Sequence, residues 1–228
     1  MAPFLKPGVT SFALSGTRAQ VRPYGAPPAA PAPVATPAAN SAAPPVPGRG
    51  GGPRRRLASG QDFTWPMAPG ADGKTVNMSI VPDDPPYADN TATLMDPSRK
   101  LQFATALNTE RKMIYGYIFR REDYPWLQTW LNYGAVPTMV RGLEFSSQPY
   151  DVNRHDTIDP DAMWGTPVFR WLRAKSKIES HFLLFFAHVP DGFTKVDNVR
   201  LENNQIVIED RTAQKRMTLA ASRGIPVN

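Results

Sequence analysis

Between Ala26 and Pro53 the chain is almost entirely alanine and proline with scattered glycine, and it runs out through GRGGGP into Arg54-Arg55-Arg56. That composition cannot bury apolar area and favours extended, solvated backbone over a packed element. It therefore limits the core of this 228-residue chain to what lies on either side. We expect a disordered insertion or linker over 26–60, a short β segment over 1–25 that joins the same sandwich, a main domain over 61–222 and a tail over 223–228.

Outside that run, no segment keeps a helical period, whereas short apolar runs recur between turn signals. Val9 to Leu14 and the following SGTRAQV read as strands, then Phe63 to Trp65 and the alternating Thr75 to Val81. Leu101 to Leu107 and Lys112 to Phe119 form a hairpin about Asn108-Thr109-Glu110-Arg111, and Trp126 to Tyr133 follows Pro125. Pro167 to Leu172 is a further strand candidate, and Lys177 to Val189 is the strongest apolar run, read as a long central strand. Val196 to Leu201, Gln205 to Asp210 and Arg216 to Ala220 close the chain, with Glu202-Asn203-Asn204 as a hairpin tip. The expected class is all-β, an antiparallel β-sandwich.

The formal charge of +6 sits in the first part of the chain. Residues 1–60 hold Lys6, Arg18, Arg22, Arg49 and Arg54 to Arg56 and no acid, which leaves 19 cationic against 20 anionic side chains in the remainder. A charge so placed gives no reason to expect nucleic acid as a partner of the folded part. Arg54 to Arg56 read as a solvated run, with an anionic docking patch as the alternative. The absence of cysteine excludes disulfides, thiolate metal sites and a cysteine nucleophile. The first residues lack an uninterrupted apolar run, no later stretch is long enough to span a bilayer, and we expect a soluble chain without a signal peptide, cytoplasmic by default.

The chemistry concentrates in Thr138 to Arg154, TMVRGLEFSSQPYDVNR. A strand from Thr138 to Phe145 delivers Glu144 between apolar neighbours and then breaks at Ser146-Ser147-Gln148-Pro149. Apolar flanks imply burial, a buried carboxylate has a raised pKa, and such a group is a candidate general base; the alternative is an ion pair with Arg141 or Arg154. His155 is the neighbouring candidate acid, and the histidines show no metal-ligand spacing. There is no nucleophile elbow, phosphate-cradling loop or dinucleotide turn, so no cofactor is expected. Glu144, Arg141, Gln148 and Asp151 beside Trp126, Trp130 and Trp164 suit a saccharide, whose hydroxyls bond to such polar groups while its C–H faces lie on aromatic rings.

The run Gly142-Leu143-Glu144-Phe145-Ser146-Ser147-Gln148-Pro149-Tyr150-Asp151-Val152-Asn153 resembles the galactose mutarotase (aldose 1-epimerase) segment in which a strand ends in Leu-Glu-Thr-Gln and enters a Pro-Asp-Ala-Val-Asn loop. GYIFRREDYPWLQTW and WGTPVFRWLRAKSKIESHFLLFF are similar to the C-terminal half of mutarotase-like proteins, so the resemblance covers roughly 92–220, with 3–22 matching interior strands. It implies a supersandwich fold and a base role for Glu144 on the anomeric hydroxyl of an aldose. Two departures stand out: the Glu144 to Gln148 spacing is longer than in the enzymes, and no Asn-x-x-x-His segment supplies their acid histidines. The chain is then either part of a longer protein or a reduced family member with a partial sandwich. Two functions follow, anomer interconversion through Glu144 or a non-catalytic carbohydrate-binding or structural domain; the partner in the first is a mono- or oligosaccharide, and the oligomeric state is left open.

Overall fold

The computed structural model describes residues 4–24, 54–83, 87–133, 139–158 and 160–227. The Ala/Pro run expected to be a linker lies outside them, as does Thr138. In chain order the strands are β1 (Thr10–Leu14), β2 (Gly16–Val21), β3 (Asp62–Thr64), β4 (Met67–Pro69), β5 (Thr75–Asn77), β6 (Tyr87–Met95), β7 (Leu101–Asn108), β8 (Met113–Arg120), β9 (Trp126–Tyr133) and β10 (Met139–Ser146). A single-turn helix, α1 (Arg154–Ile158), precedes β11 (Ala162–Met163), β12 (Thr166–Pro167), β13 (Phe182–His188), β14 (Asn198–Glu202), β15 (Gln205–Asp210) and β16 (Lys215–Ala220). The class is all-β and every strand pair is antiparallel.

Three sheets form the body, ordered β1-β7-β8-β13, β10-β9-β6-β2-β3 and β14-β15-β16. The four-stranded sheet lies in the middle, and the alternation of β8 shows why. Side chains of a strand point alternately to its two faces. Ile114 and Ile118 join Leu183 and Phe185 of β13 against Val199, Ile206 and Ile208 of the three-stranded sheet. Tyr117 and Phe119 leave the other face and pack with Leu127, Leu143 and Phe145 of the five-stranded sheet. Phe119 stacks on Phe145 with ring centroids 4.7 Å apart, and burying a ring of that size stabilises the fold by roughly 1.5–3 kcal/mol. Between the two inward residues of β8, Gly116 makes room for Phe185: a Cβ there would lie 2.5 Å from Phe185 Cζ.

The hairpin of β7 and β8 and the full extent of β9 agree with expectation. Other elements do not. Lys177 to Val189 is not a central strand: pairing is confined to Phe182–His188, whose only strand neighbour among the described residues is β8, and Phe182, Leu184 and Phe186 are exposed on this edge. Of Pro167 to Leu172, only Pro167 belongs to a strand, in the small β11–β12 ribbon, and Trp171 and Leu172 are exposed. The strand expected over Thr75 to Val81 stops at Asn77, because Asn77 Oδ1 accepts from the Ser79 N–H and hydroxyl and turns the chain. α1 was not anticipated, nor was β6, which runs through the middle of the five-stranded sheet between β2 and β9.

Candidate functional site

Among the described residues, β10 is an edge strand of the five-stranded sheet. Arg141, Leu143 and Phe145 point inward, so the intervening Gly142 and Glu144 face outward. Leu143 and Phe145 take up the core contacts, and Glu144 is exposed. The burial expected from its apolar flanks is thus corrected, since in a strand the flanking residues bury the opposite face. The raised pKa nonetheless holds: partial desolvation pushes the Glu144 carboxyl up, and the nearby Asp151 carboxylate adds to it. The side chain folds back along the strand, and its Oε1 lies 2.5 Å from where a Cβ on Gly142 would stand.

A cavity of about 520 Å³ runs along this edge, lined by Glu144, Arg141, Phe12, Tyr115, Tyr117 and Phe186 among others. The Tyr115 and Tyr117 hydroxyls are hydrogen-bonded to each other and their rings meet edge to face at 5.0 Å. Burial, then the bond to Tyr115, pushes the Tyr117 hydroxyl up, and Glu144 contributes in the same direction. The cavity therefore offers one carboxylate of raised basicity, a hydrogen-bonded pair of hydroxyls and the rings of Phe4, Phe12, Tyr115, Tyr117 and Phe186.

Arg141 borders the same cavity from the inner side of β10. Three residues apart on a strand, Arg141 and Glu144 leave opposite faces and form no ion pair. The guanidinium lies 3.6 Å above the Phe12 ring and donates through Nη1 to Tyr133 Oη at 3.5 Å. Nε and Nη2 are buried without a hydrogen-bond partner, and burial pushes the group's pKa down, opposed by Tyr133 and Tyr87.

The other expected residues spread over the outer face of the five-stranded sheet. Gln128 of β9 stands opposite Glu144, and its Nε2 donates to the Gln148 carbonyl at 3.3 Å, seating the loop after β10 over the sheet. Asp151 is exposed, and its carbonyl accepts from Arg22 Nη2 at 2.7 Å. Trp126 is fully buried, donates to the Pro167 carbonyl at 2.9 Å and packs on Trp164 at 5.8 Å, so it presents no ring face to a ligand and serves packing instead. Trp164 is itself half-buried under the Arg18 guanidinium. Trp130 is 40% exposed and pairs across strands with Gly142 on one side and Asn90 on the other. His155 is exposed in α1 and does not line the Glu144 cavity.

The structure thus brings Glu144 together with Tyr115, Tyr117 and Phe186, which sequence reasoning placed only within strands. Alternation within β8 puts both tyrosines on one face, but that this face meets the edge of β10 depends on sheet packing. Among the described residues no cluster of acids and histidines has the arrangement of a metal site, and no helix is long and apolar enough to cross a membrane. No family model, curated protein or solved structure matches the chain at a significant level.

Proposed function

We propose that the chain binds a mono- or oligosaccharide in the cavity along β10 and, as a galactose mutarotase-like protein, interconverts aldose anomers. The observation that carries this is Glu144, a carboxylate of raised pKa at the mouth of a cavity walled by Tyr115, Tyr117 and Phe186. Glu144 accepts the proton of the anomeric hydroxyl, a donor protonates the ring oxygen, the ring C–O bond opens, and the aldehyde recloses on its other face as both protons return. The Tyr115–Tyr117 hydroxyl pair, which lines the cavity beside Glu144, takes the donor's place in preference to His155. The resemblance of Gly142 to Asn153 to the mutarotase segment supports the finer fold reading, a supersandwich present here in part. A second reading, a binding or structural domain without catalysis, is favoured by the exposure of Glu144 on an edge strand.

Polarimetry on freshly dissolved α-glucose and α-galactose tests the catalytic reading. Wild type is expected to speed the decay of rotation and Glu144→Gln to fall to the buffer rate. Equal rates for both proteins and buffer sink it. Tryptophan fluorescence then decides between the remaining two, because a saccharide response without mutarotation leaves binding alone and no response leaves a structural role.

A further inference from the structure

A second cavity, of about 330 Å³, opens on the outer face of the five-stranded sheet beyond Trp130 and is lined by Arg22, Tyr24, Arg55, Asp89, Asn90 and Trp130. Two of the cations noted in the first part of the sequence, Arg22 and Arg55, converge here from opposite sides of the Ala/Pro run. The Arg22 N–H bonds to the Asn90 carbonyl at 2.8 Å, which continues the sheet past β2. The Arg55 guanidinium stacks on the Tyr24 ring, and that of Arg22 lies 5.7 Å from the same ring. Neither forms a salt bridge among the described residues.

The only acid in the lining is Asp89, and one of its oxygens is already committed: Oδ2 accepts the backbone N–H groups of Arg56 and Leu57 at 2.8 and 3.1 Å. Asp89 stands next to Asn90 on β6, so its carboxylate leaves the other face of the sheet, and the two guanidinium groups give the cavity a net positive charge. Desolvation pushes the Arg55 pKa down, Asp89 opposes this and the neighbouring Arg22 adds to it, as expected for like charges held close. One buried acceptor on this face is also unanswered: Asn90 is 7% exposed, and its Oδ1 has no hydrogen-bond partner. Polar atoms left so cost free energy that a ligand's hydroxyl recovers.

We propose that this cavity binds an anionic monosaccharide, with Arg22 and Arg55 on its carboxylate or phosphate group, the ring on Trp130, and a hydroxyl donated to Asn90. Guanidinium groups suit both anions because they offer forked N–H donors. The scale fits: Asn90, Trp130 and Gly142 stand side by side on three strands, and at about 4.8 Å per strand the row is roughly 10 Å wide, enough for one pyranose. Glu144 folds over Gly142 at the far end of that row. The sugar part rests on the carbohydrate reading above; the anion part stands on the arginines alone.

Isothermal titration at low ionic strength with glucose, glucuronate, glucose 6-phosphate and inorganic phosphate tests this. The charged sugars are expected to bind about tenfold or more tighter than glucose, and the preference to fall below about twofold in Arg55→Gln and to shrink as salt rises. Whichever of glucuronate and glucose 6-phosphate binds tighter identifies the anion. A melting temperature matching wild type shows that Arg55→Gln is folded; if it is not, the salt dependence in the wild type carries the test. Equal binding of charged and neutral sugars overturns the inference and leaves the carbohydrate reading intact. Phosphate binding as tightly as glucose 6-phosphate overturns the sugar part, and no binding by any probe overturns both.

Discussion

Asp210 at the end of β15 gives the most direct quantitative test of the fold around the three-stranded sheet. The residue is fully buried, and its Oδ2 accepts the Thr194 N–H at 2.7 Å, the Thr194 hydroxyl at 2.8 Å and the Lys195 N–H at 3.1 Å, while Oδ1 accepts the Ala213 N–H at 2.9 Å. One carboxylate thus ties the loop entering β14 to the turn leaving β15. Burial pushes its pKa up, but the Ala213, Thr194 and Lys195 bonds outweigh this and hold it at about 2 against an ordinary 3.8. At roughly 1.4 kcal/mol per pH unit that difference is about 2.5 kcal/mol, and screening next to a single thin sheet trims it to about 2 kcal/mol.

Asp210→Asn keeps the shape and one oxygen, but turns an N–H₂ group toward the Ala213 N–H or the Thr194 pair, donor against donor. Loss of one bond and of charge assistance on the others again comes to about 2 kcal/mol. Because the folded pKa lies below the unfolded one, the carboxylate's contribution is complete well above 3.8 and is lost as pH falls through about 2. Urea unfolding followed by circular dichroism should therefore separate wild type from Asp210→Asn by about 2 kcal/mol at pH 7, and by roughly a third of that at pH 2.5. A separation under about 0.5 kcal/mol at pH 7, or one that persists undiminished at pH 2.5, would refute the reasoning.

Two further outcomes concern the candidate site. Gly142→Ala places a methyl where Glu144 Oε1 now lies, and it displaces only the end of a flexible side chain. Any mutarotation should therefore drop by about 10- to 100-fold while the melting temperature stays near wild type; an unchanged rate would show that the carboxylate's position is immaterial. Because desolvation and Asp151 both raise the Glu144 pKa, the polarimetric pH–rate profile should rise around a midpoint above 4.5. Asp151→Asn removes a negative neighbour and should move that midpoint down, so a midpoint that stays or climbs contradicts the assigned pairing.

Where local pattern and tertiary context agree, the strands were legible. Trp126–Tyr133 is bounded by Pro125 and rich in aromatic residues, and Asn203 and Asn204 at the β14–β15 tip take the positive φ that a tight hairpin turn needs. β6 was not legible, because its sequence YADNTATLM lacks the β-branched and aromatic alternation of a strand. What holds it is pairing with β2 and β9, with Thr91 and Thr93 buried in the middle of the sheet. β13 erred the other way: six apolar or aromatic residues and a histidine look like the centre of a sheet, yet among the described residues no strand lies beyond them.

By itself, then, the sequence determined the all-β class, the β7–β8 hairpin, the run of strands at the C-terminal end and the segment in which Glu144 sits, because these depend on local alternation and turn chemistry. The tertiary structure decided which strands are edges and what lies opposite each face. It turned Glu144 outward and Arg141 inward, buried Trp126, and brought Tyr115 and Tyr117 to the edge of β10 and Arg55 to Trp130. Those juxtapositions join residues far apart in the chain, and only the packing of one sheet on another fixes them.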